Sequence, residues 1–412
     1  MSQSSPNFVK VVGNQFQIEG KPYHFIGTNF WYGMNLGSAS EGGDRERLKR
    51  ELDQLKSLGI NNLRIMGASE GPDHEPWRML PSLQNESGQY QQDLWEGLDF
   101  LLTEMRKREM YAVICLNNFW PWSGGMSQYV AWQEGSKIPY PPPAEGGSWH
   151  KYQVYTTRFY LNEACIAAAE RHMALLINRV NSISKTRYKD DPTIMAWQLA
   201  NEPRGILQGT AYYNWVKRSA AFIKKLDPKH LVSVGSEGNT SVKAYANTQF
   251  KKVHELPDID YATFHIWVQN WGWYDPQSAN LAKAKRKAVR YLKRHTRIAD
   301  NIGKPAVLEE FGISRDADDH DPKASTEIRE AYYAHIFEAV HQQARKGNAL
   351  AGCNFWAWGG EGRPREAHAI WQKGDDFIGD PPHEHQGWYS VYDQDNSTHQ
   401  VIQEWTSKMN QL

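Results

Sequence analysis

The chemistry-bearing residues of this chain are glutamates at the ends of strand-like runs. Glu202 follows the apolar run Ile194–Leu199 within DPTIMAWQLANEPRG, Asp191 to Gly205. Pro203 directly after it has no backbone N–H, so neither a strand ladder nor an immediate helix continues past the acid. A second run, Ala306–Phe311 (AVLEEF), ends in Glu309 and Glu310. Neighbouring side chains of a regular strand face opposite sides, so one of these two is expected to point inward. Two carboxyl groups held about 5–5.5 Å apart are what a retaining glycosidase uses, one as nucleophile and one as acid and then base. Strand-end acids occur by chance in any large protein, so the company they keep matters. Asn201 and Arg204 flank Glu202, Arg64 lies inside a strand-like run, His265 and Trp267 end another, and Trp356 ends a third.

Bringing these residues together requires a scaffold in which strand ends converge. Eight strand-like runs are legible: Tyr23–Asn29, Asn61–Met66, Tyr111–Asn117, Ile194–Leu199, Leu231–Gly235, Tyr261–His265, Ala306–Glu310 and Gly352–Trp356. Segments of helical period lie between them. Leu48, Leu52 and Leu55 mark Asp44–Leu58, which stops at Gly59. Ile328, Tyr332, Ile336 and Val340 mark Thr326–Lys346, which stops at Gly347, and Leu281, Ala284, Ala288 and Leu292 mark a third. Alternation of strand and helix means parallel strands with helical crossovers, and eight units predict an α/β chain closed as a (β/α)8 TIM barrel. Before it, Phe8–Val12 and Gln15–Glu19 flank Gly13-Asn14, which predicts an N-terminal hairpin over 7–22 capping the barrel. No linker or change of composition divides the chain, so 1–412 is expected to form a single domain.

Three connections are long: Asn118–Tyr160, His265–Asn280 and Trp358–Tyr392. All follow strands, which puts them on the C-terminal face where barrel enzymes work. They hold many of the 17 tryptophans, side chains that either fill a core or line a cleft with flat apolar faces and N–H donors suited to sugar rings. Lys plus Arg equals Asp plus Glu at 47 each, so no global field points to nucleic acid or an acidic membrane. No apolar run is long enough to span a bilayer. Cys115, Cys165 and Cys353 have neither disulfide-framework nor zinc spacing. The N-terminus, MSQSSPNF, lacks a basic region followed by an apolar one, so the chain either stays inside the cell or has lost a leader.

Asn201-Glu202-Pro203, Glu310-Phe311-Gly312, Arg64 in NNLRI and His265 in TFHIW resemble glycoside hydrolase family 5 of the barrel clan A. VGSEG, NFWAWGGEGR and GDPPHEHQGWYSVYD extend the likeness to its β-mannanase branch, over nearly the whole chain after the hairpin. The resemblance implies that Glu202 is the acid/base, and that Glu310, directly before the aromatic-glycine pair, is the nucleophile. It implies that Asn201 holds the sugar 2-hydroxyl, that Arg64 keeps Glu310 ionised, and that Trp356 floors the cleavage point. It further implies that His265 and Trp267 frame the acids, that Arg204 and Glu237 bind sugar beyond the cleaved bond, and that Asn118 and Trp120 contact substrate. Many members carry Tyr where this chain has Trp267; if that Tyr donates to the nucleophile, the indole N–H can keep the role.

Each assignment has a plainer competitor. Arg64 could be an interior ion pair, His265 a core histidine and Glu237 part of a surface turn. Gly67-Ala68-Ser69-Glu70-Gly71 matches an esterase nucleophile elbow, but Pro72 and Pro76 forbid the helix it needs. Asp316, Asp318, Asp319 and Asp321 lack the glycine of a calcium loop, Gly359, Gly360 and Gly362 lack phosphate-loop spacing, and His383 and His385 have no third metal ligand and read as a solvated loop. The expectation is a retaining hydrolase of β-1,4-mannosidic bonds in mannan or manno-oligosaccharides. It needs no metal or cofactor, has no nucleic-acid partner and works as a monomer. Internal cleavage is placed ahead of trimming by an exo-β-mannosidase; a β-1,4-glucan substrate and a non-catalytic carbohydrate-binding barrel remain as alternatives. Endo action on polymeric mannan implies an extracellular or periplasmic site, whereas an exo enzyme could act in the cytoplasm on imported oligosaccharides.

Overall fold

The computed structural model describes residues 7–278 and 280–412. Eight buried strands form the centre: β1 (Phe25–Asn29), β2 (Asn62–Met66), β3 (Tyr111–Cys115), β4 (Ile194–Gln198), β5 (Leu231–Ser233), β6 (Ala262–Ile266), β7 (Ala306–Phe311) and β8 (Leu350–Phe355). They pair in parallel in the order β5-β4-β3-β2-β1-β8-β7-β6. The gap between β6 and β5 is bridged by the Asp260 N–H on the Val232 carbonyl at 2.8 Å and the His265 N–H on the Glu237 carbonyl at 3.2 Å. The sheet is thus a TIM barrel, as the alternating sequence pattern predicts.

Each strand is followed by a helix on the outside: α1 (Arg45–Ser57), α2 (Gln92–Lys107), α3 (Glu163–Asn178), α4 (Gly209–Leu226), α5 (Phe250–His254), α6 (Leu281–Ile302), α7 (Glu327–Arg345) and α8 (Asn396–Met409). Local chemistry explains the ends. Asp44 caps α1 by accepting from the Arg47 N–H at 2.9 Å, and Gly303 ends α6 with a φ of 70°, a left-handed turn that glycine adopts without a Cβ clash. Buried faces such as Leu48, Leu52 and Leu55 of α1 pack onto the barrel.

The N-terminal residues cover the bottom of the barrel. Lys10–Val12 pairs with Gln15–Ile18, which also pairs with Lys21–Pro22, one strand more than a simple hairpin. Phe16 meets Tyr261 edge-on at 5.3 Å and joins Val9, Phe25, Val113, Met195 and Val307 in an apolar plug. All three cysteines are buried and free. Among the described residues no helix is long and apolar enough to cross a membrane.

One irregularity matters for the site. Between β6 and β7, Phe264 faces Leu308 but His265 faces Glu310, so Glu309 has no opposite residue. This is a β-bulge, a device that re-aims side chains beside it.

Candidate active site

Glu202 sits just past the end of β4 with a φ of 49°, a left-handed backbone that a non-glycine residue holds only under local strain. Its N–H is anchored on the Gly235 carbonyl at 2.9 Å. One carboxylate oxygen faces His265 Nδ1 at 2.6 Å, and the other accepts from Trp120 Nε1 at 2.6 Å. Glu310 reaches the same place from β7. It accepts from Arg64 Nη1 at 2.5 Å and lies 3.2 Å from the same His265 Nδ1. One oxygen from each glutamate and one His265 nitrogen lie within 4.8 Å of each other. That closeness matches the short carboxyl separation of retaining glycosidases and falls below the roughly 6.5–9.5 Å that inversion requires.

The expectation that only one of Glu309 and Glu310 faces inward does not hold. Glu309 accepts from Gln198 Nε2 at 2.7 and 2.9 Å, lies 3.7 Å from Arg64 Nε and 4.0 Å from His265 Nε2, and takes the Tyr261 hydroxyl at 3.4 Å. These are the groups, or the immediate neighbours of the groups, that meet Glu310. The alternation rule fails because the bulge inserts Glu309 as an extra residue, so consecutive carboxylates both enter the barrel one layer apart.

Asn201 is held by two partners. Its Oδ1 accepts from Arg64 Nη2 at 2.7 Å, and its Nδ2 donates to Asn118 Oδ1 at 3.1 Å. Arg64 thereby links Glu310, Asn201, Asn29 and Gln198. Asn118 is fully buried behind Asn201 and does not line the cavity. Arg204 pairs through two nitrogens with Glu237, donates to Gln153 Oε1 at 2.9 Å and stacks its guanidinium 4.8 Å from the Trp120 ring. Both Arg204 and Glu237 line the cavity, which removes the surface-turn reading of Glu237. Trp267 packs against Trp356 at 5.9 Å and Tyr389 at 5.2 Å and makes no hydrogen bond to Glu310. The indole that donates to one of the two strand-end acids of the site is Trp120, on Glu202.

These residues surround a cavity of about 270 Å³. Its wall includes Gln153, Asn270 and Glu384, which the sequence reading passed over, and His383, which it placed in a solvated loop. His383 is no part of a solvated loop; its ring meets Trp149 edge-on at 5.9 Å, so the first and last of the long loops touch across the cavity. Trp149 in turn meets Trp120 at 5.5 Å. The signal available in the sequence was the rigid Gly379-Asp380-Pro381-Pro382 turn that presents His383 and Glu384. Trp356 forms part of the wall with its Nε1 unpartnered, a donor free for a hydroxyl.

The discarded motifs have structural occupations. Ser69 Oγ accepts from the Leu83 N–H at 2.7 Å and is buried, and no helix follows it. Asp316 accepts from the Glu327 and Ile328 N–H groups and so caps α7.

Electrostatics order the protons. Burial lowers the affinity of His265 for its proton, but the Glu310 charge and the contacts from Glu202 and Glu309 overcome it and raise the imidazole well above its ordinary value. Burial pushes Glu202 up, yet the His265 hydrogen bond and charge, Arg204 and Trp120 together hold it down to about 2. The buried pair therefore shares one proton, resting on His265. Burial brings Glu237 up to about 7 against the pull of Arg204. Burial, with the Asp380, Glu310 and Glu202 charges nearby, pushes Glu384 well above the usual carboxylate range. Glu202, His265 and Glu310 also have the spacing of a metal-ligand set, but the cations facing these carboxylates are Arg64 and the protonated His265.

A family model described as GH family 5 beta-mannosidase-like matches residues 6–412. A putative mannan endo-1,4-beta-mannosidase 9 of Oryza sativa subsp. japonica is 31% identical over 361 residues, 85% of this chain and 81% of that one. A putative mannan endo-1,4-beta-mannosidase 4 of Arabidopsis thaliana is 31% identical over 371 residues, 85% of this chain and 83% of that one. Among solved structures, a glycoside hydrolase family 5 mannosidase from Rhizomucor miehei aligns at 39% identity over 99% of each chain with a TM-score of 0.91. An endo-1,4-beta-mannanase from the same organism aligns at 24% identity over 98% of this chain and 100% of that one with a TM-score of 0.72, a likeness of fold.

Proposed function

We propose that this chain, which belongs to glycoside hydrolase family 5, is a retaining glycosidase of β-1,4-mannosidic bonds. The observation that carries the reading is one imidazole nitrogen facing both glutamates, Glu202 at 2.6 Å and Glu310 at 3.2 Å, with Arg64 on Glu310. A pure binding barrel has no use for two carboxylates so close together. In the first step a Glu310 oxygen attacks the anomeric carbon while the glycosidic bond breaks, and Glu202 delivers a proton to the departing oxygen. In the second, Glu202 takes a proton from water, the water oxygen replaces Glu310 at the anomeric carbon, and the carboxylate is released. Asn201, clamped by Arg64 and Asn118, is oriented for the 2-hydroxyl. Arg204 and Glu237 form a polar wall beside Trp120, Trp356 supplies an apolar surface with a free N–H, and Glu384 offers a carboxyl to a sugar hydroxyl. Asn118 acts through Asn201, and Trp267 supports Trp356. The product anomer, followed by NMR during hydrolysis, is expected to keep the β configuration; net inversion would overturn the mechanism.

Of the two modes of attack, trimming from a chain end is favoured by the contact of Trp149 with His383. That contact joins two loops across the cavity, where internal cleavage needs an open groove. Mannopentaose is expected to give mannose as the main early product. The double variant Trp149→Ala/His383→Ala is expected to raise the early share of mannobiose and mannotriose several-fold. Mannobiose and mannotriose from the unaltered protein at the outset would reverse the assignment.

A further inference from the structure

The chain carries no net charge, yet helix α6 concentrates cations on one side. Lys283, Arg286, Arg290, Lys293, Arg294 and Arg297 are all exposed. At 3.6 residues per turn they fall within an arc of about 100° and extend about 21 Å along the axis, six over roughly four turns. The face opposite them, with Ala284, Ala288, Tyr291, Leu292, His295 and Ala299, is buried against the barrel. Among the described residues none of the six makes an ion pair, whereas Arg50, Arg158, Arg179, Arg218 and Arg363 on other parts of the surface each have an acidic partner. The acids near the stripe are few. Asp300 is taken up by Asn14 and the Ala349 N–H, and Glu338 of α7 is the acid felt by His335, whose proton affinity burial and then Lys285 lower. Arg286, Arg290, Arg294 and Arg297, with Lys293, Val289 and His335, form a groove of about 710 Å³ between α6 and α7.

We infer that this stripe docks an acidic polysaccharide, a linear chain of uronate-bearing sugars. Four of the six cations are arginines, whose planar fork pairs with a carboxylate through two hydrogen bonds. A row of charges with at least one in every turn suits a ligand that repeats its own charge along a line. A lipid surface is disfavoured because, among the described residues, no large exposed apolar side chain flanks the stripe, and single-stranded nucleic acid because none of its positions holds an aromatic ring for bases to stack on. The choice of polysaccharide rests on the sugar-cleaving reading of the cavity, because the two regions are joined. Lys287, on the flank of the stripe, lies 5.7 Å from the Trp273 ring, Trp273 lies 5.0 Å from Trp271, and Trp271 lines the cavity.

The test is affinity electrophoresis of the full chain in native gels containing polygalacturonate, which involves no hydrolysis and so fails independently of the catalytic assignment. Retardation is expected, weakening about tenfold or more between 50 and 200 mM salt as counterions compete. The triple variant Arg286→Gln/Arg290→Gln/Arg294→Gln is expected to bind at least tenfold more weakly while keeping its circular dichroism and its turnover of short neutral manno-oligosaccharides within about twofold. Unretarded migration of the unaltered protein, or equal retardation of the triple variant, would remove the proposal. Stronger retention on anionic phospholipid vesicles or a single-stranded oligonucleotide than on polygalacturonate at equal ionic strength would overturn it too, assigning the stripe to that partner.

Discussion

Replacing Glu310 with alanine is expected to lower kcat on mannan by about 10⁴–10⁶-fold, the scale lost when a covalent nucleophile is deleted. The argument is geometric. Glu310 is held by Arg64 and His265, which aim its carboxylate, and no other described carboxylate in the cavity has that pair of groups at hydrogen-bond distance. Glu309 provides the demanding control, since it shares Arg64 and His265 as neighbours but only at 3.7 and 4.0 Å, one layer deeper. Its carboxylate is occupied by Gln198, so Glu309→Gln is expected to retain far more activity than Glu310→Ala. A 2-deoxy-2-fluoro-mannoside with a good leaving group should form an ester that accumulates, because the fluorine slows its hydrolysis. Mass spectrometry of the digested protein then reads the glycosylated residue. A label on Glu310 is the expected result, and a label on Glu309 would transfer the nucleophile to its neighbour.

That pair also marks how far the chain can be read before it folds. The barrel is legible because eight apolar runs alternate with segments of helical period, and the strand ends that carry Glu202, His265, Glu310 and Trp356 converge as that topology requires. The bulge is not legible. AVLEEF reads as a regular strand, and the register change that turns Glu309 inward depends on how β7 pairs with β6. The roles of indoles are equally hidden: Trp120 and Trp267 are both loop tryptophans after strands, yet one donates to Glu202 and the other packs behind Trp356. His383 looked like a solvated loop residue because burial of a polar side chain depends on which loop comes to rest against it, here the one carrying Trp149. A balanced total charge likewise concealed the one-sided cations of α6, since counting 47 of each sign says nothing about where they lie.

Replacing His265 with glutamine is expected to lower kcat by about 10²–10⁴-fold and to move the alkaline limb of the pH–rate profile to lower pH. The reason is the position of the shared proton. With His265 Nδ1 between Glu202 and Glu310, the imidazole holds the proton and Glu202 is a carboxylate held down to about 2. Yet the leaving oxygen must receive a proton from Glu202. The largest influence raising His265 is the Glu310 charge, and that charge disappears as Glu310 becomes an ester. Bond formation at the nucleophile therefore loosens the proton on His265 just as the departing oxygen needs it, and Glu202 passes it on. When water later frees Glu310, the returning charge draws the proton back to His265 through Glu202. The unaltered protein should lose activity only as pH rises through the raised titration of the pair, above the ordinary imidazole value near 6.5. In His265→Gln the sole proton is that of the Glu202 carboxyl, so the same loss should begin about 1–3 pH units lower. A nitrophenyl mannoside, whose leaving group needs little protonation, should suffer a much smaller loss than mannobiose. An alkaline limb that stays in place in the variant, or equal losses on both substrates, would show that His265 only holds the carboxylates in position and carries no proton to the bond.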